Sequence, residues 1–186
     1  MALVLGTNSG FVTTAPTSDP DGPATFIDDK AIVTADTSPS GAVKIVEIGW
    51  WCNSATEESN FEVGLYAADG AVVPDEAGTL LEVSRTHAKG TGAGWKVVSG
   101  LDWNISASTD YWLGVQLDDT ATGTTTDGGG SGGMGRDDLI SQSTLPDPFN
   151  GGTFTATELT AIYAVTEEAP AVTASDNMNI IGENVY

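Results

Sequence analysis

The sequence predicts an all-β protein, a jelly-roll-like antiparallel β-sandwich followed by an extended C-terminal arm. Its apolar segments are short, turn residues separate them at intervals of roughly ten positions, and long amphipathic helical patterns are missing. With 40% hydrophobic residues in 186, the chain is able to bury one real core. A sandwich domain is expected over 1–168 and the arm over 169–186.

The elements follow in order. Weak strand signals lie near Phe11-Val12 and within Ala24–Ala35. Val43-Lys44-Ile45-Val46-Glu47-Ile48-Gly49-Trp50-Trp51 is β-branched and apolar on nearly both faces, which predicts a central strand in which Glu47 needs a partner or an exit. Phe61, Val63 and Leu65 alternate with Glu62 and Gly64, the period of a half-buried strand. Ala68-Asp69-Gly70-Ala71 supplies a turn. Further strands are expected at 80–83, 94–98 and 110–117, the last alternating Tyr111, Leu113, Val115 and Leu117. Residues 159–165 give the final one, for about eight strands, enough for two packed sheets.

Two segments break this pattern. Residues 122–135 hold seven glycines among Thr, Ser and Asp and read as a mobile surface loop. After Glu167-Glu168-Ala169-Pro170 the chain is expected to leave the sandwich. There Ser175-Asp176-Asn177-Met178 recurs as Gly182-Glu183-Asn184-Val185, too few copies for a solenoid. An extended tail of this kind often adds a strand to a neighbour, so an intersubunit arm is expected, with contacts from Asp176, Asn177, Met178, Ile180, Ile181, Val185 and Tyr186.

Composition narrows the partners. The 26 Asp and Glu outnumber 6 Lys and Arg for a net charge of -20, so the chain lacks the cations that nucleic-acid phosphates require. Cys52 stands alone, which excludes an intramolecular disulfide and a Cys-based zinc site. The run Ala2-Leu3-Val4-Leu5 is too short for a signal-peptide core and carries no cation before it, so Sec export is not expected. No stretch approaches the ~20 apolar residues of a membrane span.

Candidate chemistry is sparse. Gly129-Gly130-Ser131-Gly132-Gly133 matches the letters of a nucleophile elbow, and Gly128, Gly130 and Gly133 those of a dinucleotide loop, but neither has the required strand before and helix after. His87 lies in the basic stretch Arg85-Thr86-His87-Ala88-Lys89 and is expected in an exposed loop, without partners for a metal site. The paired acids Asp28-Asp29, Asp118-Asp119 and Asp137-Asp138 are adjacent, and adjacent strand residues face opposite ways. An enzyme is not expected. If a cation is held it should be calcium, which takes loop oxygens, with Asp19, Asp21, Asp118 and Asp119 as ligands, although no complete calcium loop occurs. Of the five tryptophans, Trp50, Trp103 and Trp112 are expected to stack on glycans or to be covered by a neighbouring subunit.

The runs Ile48-Gly49-Trp50-Trp51-Cys52, Asn60–Tyr66, Gly94–Leu101 and Thr109–Gln116 resemble a β-sandwich module of small virion proteins from marine and environmental tailed phages. The opening Leu3–Val12 and Ser143–Phe149 are similar to the same group, and the tail resembles the Ser-Asp-x-Val repeats that end many such proteins. This resemblance implies a structural or receptor-facing role on a particle and no catalytic residues. It leads to the expectation of a capsid decoration or head-fibre subunit, made in the host cytoplasm, released by lysis, and bound to virion proteins such as the major capsid protein. Symmetric self-assembly is the general rule, and a homotrimer is the expected form. The rival reading is a carbohydrate-binding or adhesion module that grips surface glycans through exposed tryptophans, with or without calcium.

Overall fold

A computed structural model describes residues 2–53, 57–70, 76–118, 120, 123–129, 132–150 and 152–170. Among these residues the protein is all-β. Twelve strands occur: β1 Gly10–Val12, β2 Ala24–Phe26, β3 Lys30–Thr37, β4 Ala42–Cys52, β5 Asn60–Ala67, β6 Leu80–Ala88, β7 Gly94–Asn104, β8 Asp110–Leu117, β9 Thr125–Gly129, β10 Arg136–Ile140, β11 Leu159–Thr160 and β12 Ile162–Glu168. Among the described residues no helix is long and apolar enough to cross a membrane.

They form a four-stranded sheet ordered β1-β12-β4-β7, a five-stranded sheet ordered β10-β3-β8-β5-β6 and a small sheet ordered β11-β9-β2. All pairings are antiparallel except that of β1 with β12. The two large sheets face each other, with β1 over β3 and β12 over β8. Between them lie Phe11, Ile45, Ile48, Trp50, Ile162 and Ala164 of one sheet and Ile32, Phe61, Val63, Leu65, Leu113 and Val115 of the other. Such close-packed burial is the dominant favourable contribution to folding.

The alternation read from the sequence explains these faces. Trp50 enters the central core while Trp51 joins Leu3, Leu159 and Ala161 on the outer side, and Tyr111 and Trp112 divide in the same way. Glu47 finds its partner in the Tyr163 hydroxyl, which donates to it at 2.7 Å. Tyr163 lies across Gly49, where a side chain would collide with its ring.

Two expectations are corrected. The glycine-rich stretch is not a loop throughout: β9 runs through it, pairs with β2 and β11, and buries Thr126 and Asp127. Gly128 and Gly129 are held by β11 on one side and by Thr25 and Pro23 on the other, which composition does not reveal. His87 lies on β6 rather than in an exposed loop, half-buried against the Phe61 ring and hydrogen-bonded to Ser84 Oγ.

Candidate functional site

The outer face of the five-stranded sheet carries the most specific arrangement in the molecule. Cross-strand registers set three rows of side chains. One row holds Leu139, Ala31, Gln116 and Glu62. The next holds Asp137, Val33, Gly114, Gly64 and Val83, and the last Ala35, Trp112, Tyr66 and Leu80. Gly64 and Gly114 are directly opposite, so two missing side chains leave a hollow at the centre of this face.

The segment 141–150 crosses the face as a strap, and Leu145 fills the hollow. A Cβ on Gly64 would come within 2.7 Å of Leu145 Cδ1. The strap is tied along its length by Gln116 Nε2 to Gln142 O (2.7 Å), Leu145 N to Glu62 Oε2 (2.9 Å), Tyr66 Oη to Pro146 O (2.9 Å) and Phe149 N to Gly78 O (2.8 Å). Phe149 sets its ring edge-on to Tyr66 at 5.5 Å. Burial pushes the Tyr66 hydroxyl far above its ordinary range, which keeps it a neutral donor.

Two carboxylates on this face differ in environment. Glu62 is buried but well served, because Arg85 Nη1 donates to it at 2.6 Å beside the Leu145 amide. Asp137 is 4% exposed and its Oδ1 has no hydrogen-bond partner. Its carboxylate occupies the space that a side chain on Gly152 would need. Burial pushes the Asp137 pKa up to about 6, with the charges of Glu76 and Asp138 adding to the rise and a hydrogen bond from the Asp138 amide opposing it.

A third buried carboxylate, Asp127, has the opposite character. It accepts from Gly22 N at 2.8 Å and from Asn53 Nδ2, and Asn53 Oδ1 in turn accepts from Trp51 Nε1 at 2.8 Å. This network joins the small sheet to the end of β4.

The residues expected from the sequence are placed as follows. Trp50 is fully buried, Trp112 is 2% exposed and Trp103 is 7% exposed, so none presents a ring to a glycan. Trp50 sits edge-on to Phe61 within the sandwich, and Trp112 lies under the chain's own covering segments against Phe154. The outer-face cover assigned to a neighbouring subunit is supplied instead by the strap on one sheet and by Leu3 and Leu5 on the other. Trp95 is the partly exposed tryptophan, and its Nε1 donates to Ser18 O at 3.0 Å.

Of the proposed calcium ligands, Asp19 and Asp118 are engaged in local hydrogen bonds. Asp19 Oδ1 accepts from Asp21 N at 2.8 Å in a local turn, and Asp118 Oδ1 accepts from Gln116 Nε2 at 3.2 Å on the five-stranded sheet. Asp119 lies outside the described residues. Among the described residues no group of three or more His, Cys, Asp or Glu is placed to hold a metal. The expected arm contacts Asp176, Asn177, Met178, Ile180, Ile181, Val185 and Tyr186 also lie outside the described residues.

Sequence reasoning weighed Asp137 only as the neighbour of Asp138 and passed over the Gly64–Gly114 hollow. The period-2 pattern around Phe61 and Leu113 does place both glycines on the outer face, but only the cross-strand register makes them opposite. No family model matches the chain, and neither a curated protein nor a solved structure matches it.

Proposed function

We propose that this chain is a non-enzymatic structural subunit on the surface of a tailed-phage particle, a capsid decoration or head-fibre protein. It associates with copies of itself, as a trimer, and with the major capsid protein. The observation that carries this reading is that four of the eight large exposed apolar side chains among the described residues lie on strands at the ends of their sheets. Phe26 (63% exposed), Leu81 (45%), Val97 (45%) and Ile140 (68%) each sit on a strand at the end of its sheet, β2, β6, β7 and β10. Sheet edges that also carry exposed apolar side chains are the surfaces through which β proteins add to other chains. The segments that resemble virion modules supply the identity of the particle.

The test is peptide mass spectrometry with copy counting on gradient-purified particles from the source. Detection in the stoichiometry of the capsid lattice supports a decoration role, and a few copies per particle supports a fibre. Absence from the particles overturns the proposal.

A further inference from the structure

The strap that plugs the five-stranded sheet is held differently at its two ends. Near its start, Glu62 accepts from Leu145 N and Arg85. Beyond its far end, Gly152 lies directly on the Asp137 carboxyl group, whose Oδ1 receives no hydrogen bond. A protonated carboxyl is tolerated in such a place, and a carboxylate is not.

The surroundings offer no compensating cation among the described residues. Glu76, from the turn before β6, and Asp138 on the same strand both act on Asp137 as like charges. Arg136, the preceding residue of β10, is committed to Glu158 Oε2 at 2.8 Å and reaches Asp138 at 3.9 Å. Lys30 of β3 is 3.6 Å from Asp138. On the strap the titratable group is Asp147, which accepts from Leu80 N at 3.2 Å. After the strap the chain is bound to β10 through Thr153 N to Asp138 O (2.9 Å) and Thr155 N to Arg136 O (2.8 Å), so any movement of Asp137 is felt by both.

We propose that Asp137 is a proton-operated latch for the strap residues 145–150 and for 152–155: protonated, it lets them close against the five-stranded sheet, and ionised, it loosens them at Gly152. The direction follows from burial. The proton is held more tightly in the closed form than in an open one, so closure is favoured at acidic pH and weakened as pH rises through about 6. The proposal concerns the chain by itself and does not depend on the particle role.

Hydrogen–deuterium exchange of the full chain between pH 5 and 7.5, corrected for intrinsic exchange, reads the latch directly. The amides of Leu145, Phe149, Thr153 and Thr155 should lose protection by up to roughly tenfold over this range, as expected for a conformational change linked to one proton. Asp137→Asn should hold their protection constant with pH, while Asp138→Asn, which removes one like charge, should keep a pH dependence with its midpoint moved to lower pH. Constant wild-type protection, or an unchanged pH dependence in Asp137→Asn, overturns the proposal. Should Asp137→Asn fail to fold, a carboxyl-carbon NMR titration of the wild-type protein decides: a midpoint near 6 for Asp137 supports the latch, and one in the ordinary aspartate range overturns it.

Discussion

Gly64 and Gly114 show how two missing side chains become a structural device. Each lies on the outer face, each is opposite the other, and the space they leave admits Leu145, 28 residues beyond the end of β8, only because both are glycine. Leu145 is 2% exposed, so Leu145→Ala should lower stability by about 2–5 kcal/mol in chemical denaturation, from lost transfer energy and the cavity left behind. Gly64→Ala should cost about 1–3 kcal/mol in the wild-type protein, because the new methyl meets Leu145 Cδ1 at 2.7 Å and Leu80 Cδ1 at 3.1 Å. In the Leu145→Ala background the same substitution should cost much less. Equal costs in both backgrounds would show that the leucine does not fill the glycine hollow.

At the scale of elements, legibility followed the source of the ordering. The strands β4, β5, β8 and β12 are readable because their own side chains, from Ile45 to Trp50 and from Tyr111 to Leu117, carry β-branched or alternating patterns that any sheet would accept. The strand β9, Thr125–Gly129, carries no such pattern, and its glycines read as freedom. Its order comes from outside: β2 on one side, β11 on the other, and close contact of Gly128 with Thr25. The strand β10 was hidden by the charges Arg136, Asp137 and Asp138, which suggest a solvated loop until the register puts Asp137 beside Val33. The same reasoning explains the tryptophans, whose division between two faces was legible while the identity of the covering segment was not. The dependence of β9 on its neighbours makes Asp127 a sensitive position. Asp127→Ala leaves Gly22 N and Asn53 Nδ2 without their acceptor, so unfolding in denaturant should show a loss of about 2–4 kcal/mol. A loss below about 0.5 kcal/mol, the size of an ordinary surface change, would place the order of β9 elsewhere.

At the scale of the molecule, the described part of the sandwich is covered by its own chain, and its last backbone tie is Ala169 N to Gly41 O at 3.1 Å. If residues 170–186 serve as the proposed assembly arm, folding and association should separate. Deleting residues 170–186 should leave the denaturation midpoint within the range of a surface change, about 0.5 kcal/mol, while light scattering shows a monomer in place of an assembly. The deleted residues contain Asp176 and Glu183 and no Lys or Arg, so deletion makes a chain of net charge -20 slightly less self-repelling. Electrostatics alone would then favour association of the shortened chain, and raised salt would favour it further by screening at about 10 Å and below. Loss of assembly against that trend would assign the contact to the tail itself. Assembly that survives deletion at full strength would assign it to the sheet edges carrying Phe26, Leu81, Val97 and Ile140, and the arm would have no part in holding the subunits together.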